Sequence, residues 1–222
     1  MVQVTLCEQR IFASAQLNTY ITISLWKGAH RRHRKSQHFR MPAQKPMITY
    51  KELTENDITR ELFSSFIRRQ VVTKCLRKID GEWVIRDDPF IDDWSEDDYS
   101  FLVSCLKNTV ATGGFVCGAF IDGTLKGFVS VEAEPIGSAG QYMDLSSIHV
   151  SADARKQGIG RELFSAAKRF AKSRNAKKLY ISAHSAVESQ AFYRSMGCVE
   201  AKEYNAEHVE KEPFDCQLEC EL

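Results

Sequence analysis

Between Arg155 and Arg161 the chain reads Arg-Lys-Gln-Gly-Ile-Gly-Arg, a basic turn with two glycines set between a segment of strand composition and a segment of helical period. That setting restricts the folds open to it. The first turn of a helix holds N–H groups without internal partners and the positive end of the helix dipole, so a helix entered this way attracts phosphate. Gly158 and Gly160 let the backbone approach a phosphate oxygen, or permit a left-handed turn. Upstream, residues 142–150 change parity: Leu145 falls on the odd positions, Ile148 and Val150 on the even ones. A slip of one residue predicts a bulge. Downstream, Leu163, Ala166, Ala167, Phe170 and Ala171 recur at helical spacing with Lys168, Arg169 and Lys172 between them, and the helix is expected to stop at residues 173–175. Residues 179–183 then supply a strand, completing a strand, crossover helix, strand unit that favours parallel pairing. A short helix over residues 187–196, ended by Gly197, puts Ser189, Tyr193 and Gly197 on one face.

With these residues in place, the stretch from Ile148 to Gly197 resembles the acetyl-CoA-binding core of the GNAT (Gcn5-related) N-acetyltransferase superfamily. Arg155, Gly158 and Gly160 match its pyrophosphate motif, and Tyr193 followed by Gly197 lies in its later motif. The resemblance extends from about Met47 to the C-terminus. It departs at Ala186 and Ser189, where many members have Asn and Ala. It implies an α/β fold with a mixed, mostly antiparallel central sheet of about six to seven strands flanked by helices. It also implies acetyl-CoA as acyl donor, held by Ile148, His149, Val150, Arg155, Lys156, Gln157, Gly158, Ile159, Gly160, Arg161, Ser189 and Tyr193. Tyr193 would protonate the departing coenzyme A sulfur, and the backbone of Ile148 and Val150 would meet the pantetheine arm.

Net charge is +1, yet residues 1–46 carry eight Lys/Arg against one acid, and the remainder 22 against 28. Two regions of different character are joined, so a catalytic domain over 47–222 is expected behind a basic extension, disordered or dispensable to the domain. The run from His30 to Lys35 is read as a solvated tail rather than a nucleic-acid contact, and the extension lacks the apolar core and cleavage site of a secretory signal. No apolar run approaches a membrane span. Seven scattered cysteines form no metal-ligand pattern, and they fit free thiols in a reducing cytoplasm. A metal is not expected; self-association into a homodimer is left open.

Residues 47–53 read as an edge strand. Thr54-Glu-Asn-Asp57 and Ser95-Glu-Asp-Asp98 read as capping boxes, opening helices to about Arg69 and over 99–110. Asp122-Gly123 predicts a hairpin of residues 115–121 and 125–134, and 199–204 with 214–222 predict a closing antiparallel pair. Between the early helices, residues 80–94 combine acids with Trp83, Phe90 and Trp94 and read as an acceptor pocket for a cationic amine, or as core packing with solvated acids. Acetyl transfer needs a neutral amine, and a lysine-like amine has a pKa of about 10.4, so a base is required. Glu132 and Glu134 share a strand face. Glu132 is the chosen base, directly or through water, with Asp144, His149 and a plain water relay as rivals. Backbone N–H groups near residues 147–150 would hold the oxyanion. The expected activity is acetyl transfer to a primary amine of a small molecule or protein; the alternative is a non-catalytic acyl-CoA sensor, distinguished by a blocked acceptor pocket beside Tyr193.

Overall fold

An apolar stretch that changes parity cannot keep one face of a single sheet buried, and the chain resolves this by dividing its sheet. In the computed structural model, which describes residues 47–222, β1 (Ile48–Glu52) leads through a 3-10 turn at Glu61–Phe63 into a long hairpin, β2 (Arg69–Ile79) and β3 (Glu82–Asp93). Helix α1 (Glu96–Ala111) precedes a second hairpin, β4 (Phe115–Ile121) and β5 (Thr124–Val131). Then come β6 (Pro135–Ile136), β7 (Tyr142–Asp144), β8 (Ser147–Val150), α2 (Ile159–Ser173), β9 (Lys178–Ala183) and α3 (Val187–Ser195). They are followed by β10 (Val199–Glu200), α4 (Ala206–Lys211) and β11 (Cys216–Glu221). One sheet runs β1-β4-β5-β8 and the other β10-β11-β9-β7-β6.

The class is the expected mixed, mostly antiparallel α/β arrangement, with β7 and β9 the parallel pair. The single sheet of six to seven strands is instead a sheet of four and a sheet of five, beside the separate β2–β3 hairpin. The bulge expected in 142–150 is a full break: β7 stays with β9, while β8 crosses to pair with β5. Helix α2 spans the division on one face. Its Leu163, Phe164 and Ala167 pack with Val129 and Ile148 of the first sheet and with Met143, Leu179 and Ile181 of the second. Cys216 and Cys220 of β11 belong to this core as small apolar side chains.

On the opposite face of the first sheet, Tyr99, Leu102 and Leu106 of α1 pack with Ile58, Phe63, Phe66, Val116 and Phe128. This packing overrides the helix expected from Thr54 to Arg69. Asp57 does accept from the Thr54 N–H (2.9 Å) and hydroxyl (2.7 Å). The segment then sends Ile58, Phe63 and Phe66 inward, and Tyr99 completes its backbone by donating to the Phe66 carbonyl (2.7 Å) and accepting from Arg68 N–H (3.2 Å). The second capping box forms as expected, with Ser95 and Asp98 exchanging bonds at the start of α1. Asp122-Gly123 turns the β4–β5 hairpin with φ positive at both residues. Asp80-Gly81 has the same geometry, and sequence reading passed over it.

The closing pair is shorter than expected, Val199–Glu200 with Cys216–Glu221, and α4 lies in the connection between them, where Asn205 caps it by accepting from the His208 N–H (3.1 Å). His208 is buried over the second sheet, its Nε2 2.9 Å from Asp144 Oδ2. Burial works to lower the His208 pKa, but the hydrogen bond and charge of Asp144 outweigh it and leave the pKa raised. No described helix is long and apolar enough to cross a membrane. The basic segment 1–46 and its boundary at Met47 lie outside the described residues.

Two stability measurements follow from this packing. A Cβ at Gly114 would stand 2.6 Å from the Val131 carbonyl oxygen and 2.8 Å from that of Thr109, both backbone. Gly114→Ala should therefore lower stability by about 1–3 kcal/mol, read as a fall in the urea midpoint at constant m-value. Because the His208 pKa is raised on folding, its stabilisation is complete below an unfolded value of about 6.5 and disappears as pH climbs through the folded value. Tm measured across pH for wild type and His208→Gln should show the widest gap in acid and a narrowing gap in alkali.

Candidate active site

Where the two sheets part, a cleft of about 610 Å³ opens, with β8 on one side, the end of β9 and α3 on the other, and the start of α2 at its edge. Ser151 donates its N–H to the Lys126 carbonyl (2.9 Å), one step beyond the Val150–Gly127 pair. In an antiparallel ladder such pairs alternate, so Ser147 and His149 turn their backbone groups toward β5 while Ile148 and Val150 turn theirs to the free edge. That edge faces the cleft.

The turn entering α2 closes one end. Gly158, at the N-cap, has φ +87° and no side chain caps the helix. The first-turn N–H groups of Ile159, Gly160 and Arg161 thus have no side-chain acceptor from the cap, and all three residues line the cleft with Gly158 and Lys156. The two glycines serve different ends. Gly158 is needed for its left-handed backbone, whereas a Cβ at Gly160 would come 3.3 Å from Phe192 of α3. Arg155 also lines the cleft, but its guanidinium bonds the Val150 carbonyl through Nε (3.3 Å) and the Arg69 carbonyl through Nη2 (2.9 Å). It ties the turn to β8 and to the β2–β3 hairpin. Gln157 is exposed and lies outside the cleft lining.

From α3, Ser189 and Tyr193 reach the cleft wall, and Tyr193 is buried to 8% exposure between the rings of Phe164 and Phe192. From β8, the His149 ring lies 4.9 Å from Trp94 and 5.3 Å from Phe128. Burial, then the charges of Arg68 and Arg155, hold its pKa well below 6.5, so it is neutral at pH 7. Glu132 does not line the cleft. Its Oε1 accepts from Ser146 Oγ (2.6 Å) and Thr109 Oγ1 (2.9 Å), and Ser146 does line the cleft. Burial raises the Glu132 pKa against the opposing pull of those two hydrogen bonds. Asp144 is engaged by His208 and also stands off the cleft.

Residues 80–94 do not form one pocket. They are the turn and second strand of the β2–β3 hairpin. Trp83 lies beyond the turn with its Nε1 on Glu200 (2.9 Å), away from the cleft, while Trp94 packs beside Tyr99 and His149. The hairpin bridges the parted sheets: Ala152 N–H bonds the Ile67 carbonyl at one end, and Leu76 N–H bonds the Ser185 carbonyl at the other, both near 2.9 and 2.8 Å respectively. It brings Arg68, Gln70 and Val71 to the cleft, residues that sequence reading did not single out; the Asp80-Gly81 turn was the available signal. Ser182 and His184 were missed too, although they are the polar positions alternating with Ile181 and Ala183. His184 Nδ1 accepts from the Ala186 N–H (3.1 Å), which leaves the proton of the neutral ring on Nε2.

The fold is shared with solved acetyltransferases. A Bacillus anthracis (strain Ames) protein described as a streptothricin acetyltransferase, in complex with acetyl coenzyme A, superimposes with TM-score 0.61 at 16% identity, over 79% of this chain and 99% of that one. A nourseothricin acetyltransferase gives 0.53 at 18% identity, over 78% and 95%. The PaiA N-acetyltransferase of Thermoplasma acidophilum, in complex with coenzyme A, gives 0.51 at 14% identity, over 79% and 99%. No curated protein matches by sequence. The model of the acetyltransferase (GNAT) family matches residues 79–198. That span exceeds half of the 222 residues, and the chain is therefore an acetyltransferase belonging to the GNAT family.

Proposed function

We propose that the cleft binds acetyl-CoA and passes its acetyl group to a primary amine of a small molecule or protein by direct attack on the thioester. One observation carries this reading: the uncapped start of α2, the free edge of β8 and Tyr193 line the same cleft. The family match and the acetyl-CoA and coenzyme A complexes of the solved relatives support it. The amides of Gly158, Ile159, Gly160 and Arg161 at the start of α2 take the diphosphate, with Lys156 beside it and Gln157 left to solvent. Arg155 contributes by fixing the turn. Ile148 and Val150 offer backbone groups to the amide-bearing pantetheine arm, and His149 and Ser189 flank it.

Three tasks then fall to side chains and amides of this protein. The Ile148 N–H, on the free edge, stabilises the thioester oxygen as charge develops on it. Tyr193 gives its hydroxyl proton to the departing sulfur. The acceptor ammonium loses a proton to Ser146 Oγ as Ser146 passes its own to Glu132 Oε1, a relay consistent with the 2.6 Å bond between them. A carboxylate whose pKa is raised by burial is a stronger base, which suits Glu132 to this work. The cleft remains open beside Tyr193 toward Ser146, Ser182 and His184, so a sensor with a plugged acceptor site is the poorer reading.

The test is thiol release from acetyl-CoA over a panel of amines, with calorimetry of acetyl-CoA binding. Tyr193→Phe and Glu132→Gln should each lower kcat about 100-fold or more with acetyl-CoA affinity retained. Gly158→Asp should weaken affinity by setting bulk and negative charge at the diphosphate. Wild-type turnover in the two kcat variants, or full affinity in Gly158→Asp, would refute the assignment.

A further inference from the structure

Cys198 and Cys220 face each other across the ladder of β10 and β11. Val199 pairs with Glu219 and Glu200 with Leu218, and one step back along that register sets Cys198 opposite Cys220. Further along, the Ala201 N–H bonds the Gln217 carbonyl (2.9 Å). Hydrogen-bonded and non-hydrogen-bonded pairs alternate from there, so the two cysteines occupy a non-hydrogen-bonded position, where facing side chains stand closest. Cα atoms at such a position are about 4.5 Å apart, within the range that a disulfide spans. The Cys198 N–H accordingly turns away from β11 and bonds the Tyr193 carbonyl of α3 (3.0 Å). Both thiols are free, and that of Cys198 is hydrogen-bonded to the sulfur of Cys220.

The two sulfurs are not equivalent. Lys168 of α2 brings its Nζ to 3.6 Å from the Cys220 sulfur. The hydrogen bond from Cys198, first, and then the Lys168 charge lower the Cys220 pKa against the effect of burial, while the same thiol–thiol bond raises that of Cys198. The carbonyls of Met196 and Glu221, each at 3.6 Å, accept the Cys220 proton while the thiol holds it. One sulfur is thus prepared as a thiolate and the other is held against it, the division between an attacking and a resolving thiol. The pair is shallow as well as buried. Cys198 is 6% exposed and stands next to β10, a two-residue strand at the sheet edge whose Val199 is 58% exposed. A short edge strand opens locally at low cost, which admits a small oxidant.

We propose that Cys198 and Cys220 are a redox-active thiol pair, oxidised to a disulfide by a hydroperoxide and returned to thiols by a dithiol. The Cys220 thiolate attacks one peroxide oxygen, the O–O bond breaks, and Cys220 becomes a sulfenic acid as hydroxide leaves. The Cys198 sulfur then attacks the Cys220 sulfur, the S–O bond breaks, and the departing oxygen takes the Cys198 proton to leave as water. In sum, two thiols lose two protons and two electrons, and hydrogen peroxide is reduced to two waters. The new bond ties the residue after Gly197 to the last strand, and so fastens the end of the helix that carries Tyr193.

The experiment treats the reduced full chain with equimolar hydrogen peroxide at neutral pH, blocks the remaining thiols, and maps the digested peptides by mass spectrometry. A peptide linking Cys198 to Cys220, two hydrogens lighter than its reduced parts and released by dithiothreitol, is the expected product. The oxidised protein should also show a higher urea midpoint, since the link closes a loop in the unfolded chain. Cys198→Ser should stop the reaction at a Cys220 sulfenic acid that dimedone captures. Lys168→Gln should slow the linkage by about 3- to 10-fold, through loss of thiolate. The mapping of wild type decides the matter without any variant: Cys198 and Cys220 left as thiols while other cysteines oxidise, or linked only to other cysteines, overturns the proposal. A linkage rate unchanged in Lys168→Gln, or no dimedone adduct on Cys220 in Cys198→Ser, overturns the assigned roles.

Discussion

The structure depends on the parting of β7 from β8. Up to Leu145, whose N–H bonds the Tyr180 carbonyl (2.9 Å), the chain runs with β9; from Ser147 it runs with β5. Two strands that would otherwise lie side by side diverge, and a row of backbone groups on β8 loses its natural partner. Unpaired edges are ordinarily covered or paired, since their N–H and C=O groups must be satisfied somewhere. Here the edge is held open by packing. Helix α2 buries Leu163 and Phe164 against both sheets at once, so the sheets cannot close without opening that core.

The β2–β3 hairpin is the counterpart of α2 on the other face. It is anchored to the β8 side through Ile67 and Arg69 and to the β9 side through Leu76, and Arg155 joins the turn that opens α2 to it by the Arg69 carbonyl. The cleft thus has two chemically distinct approaches. From the α2 side come amides and basic residues suited to an anionic donor. From the hairpin side come Arg68, Gln70 and Val71, with Trp94 packed behind His149 of β8. A free strand edge between them is where the two meet.

The sequence makes the α2 and α3 side of the cleft legible, because its signals are local. The left-handed Gly158, the apolar period of α2 and the position of Tyr193 all depend on residues within a few turns of one another. The Leu145 to Ile148 parity change locates the division of the sheet, though not its extent. The hairpin side of the cleft is tertiary in origin. Thr54 and Asp57 form their local bonds, yet Phe63 and Phe66 turn inward against Phe128 and Tyr99, and no helix follows. The strands of the missed hairpin alternate poorly, with Val71, Ile85 and Ile91 exposed, because docking across the cleft rather than a buried face of their own holds them. Glu132 was legible as a carboxylate and not as one set behind Ser146, since that depends on the backbone crossing at residues 145–147.

The central claim is that the free edge of β8 receives the pantetheine arm of acetyl-CoA, and amide hydrogen exchange at single residues tests it most directly. Ser147 and His149, whose amides face β5, should be protected with or without acetyl-CoA. Ile148 and Val150 should exchange rapidly in the free protein and slow markedly once acetyl-CoA is bound. Ile148 and Val150 amides that are unchanged by saturating acetyl-CoA would contradict the account.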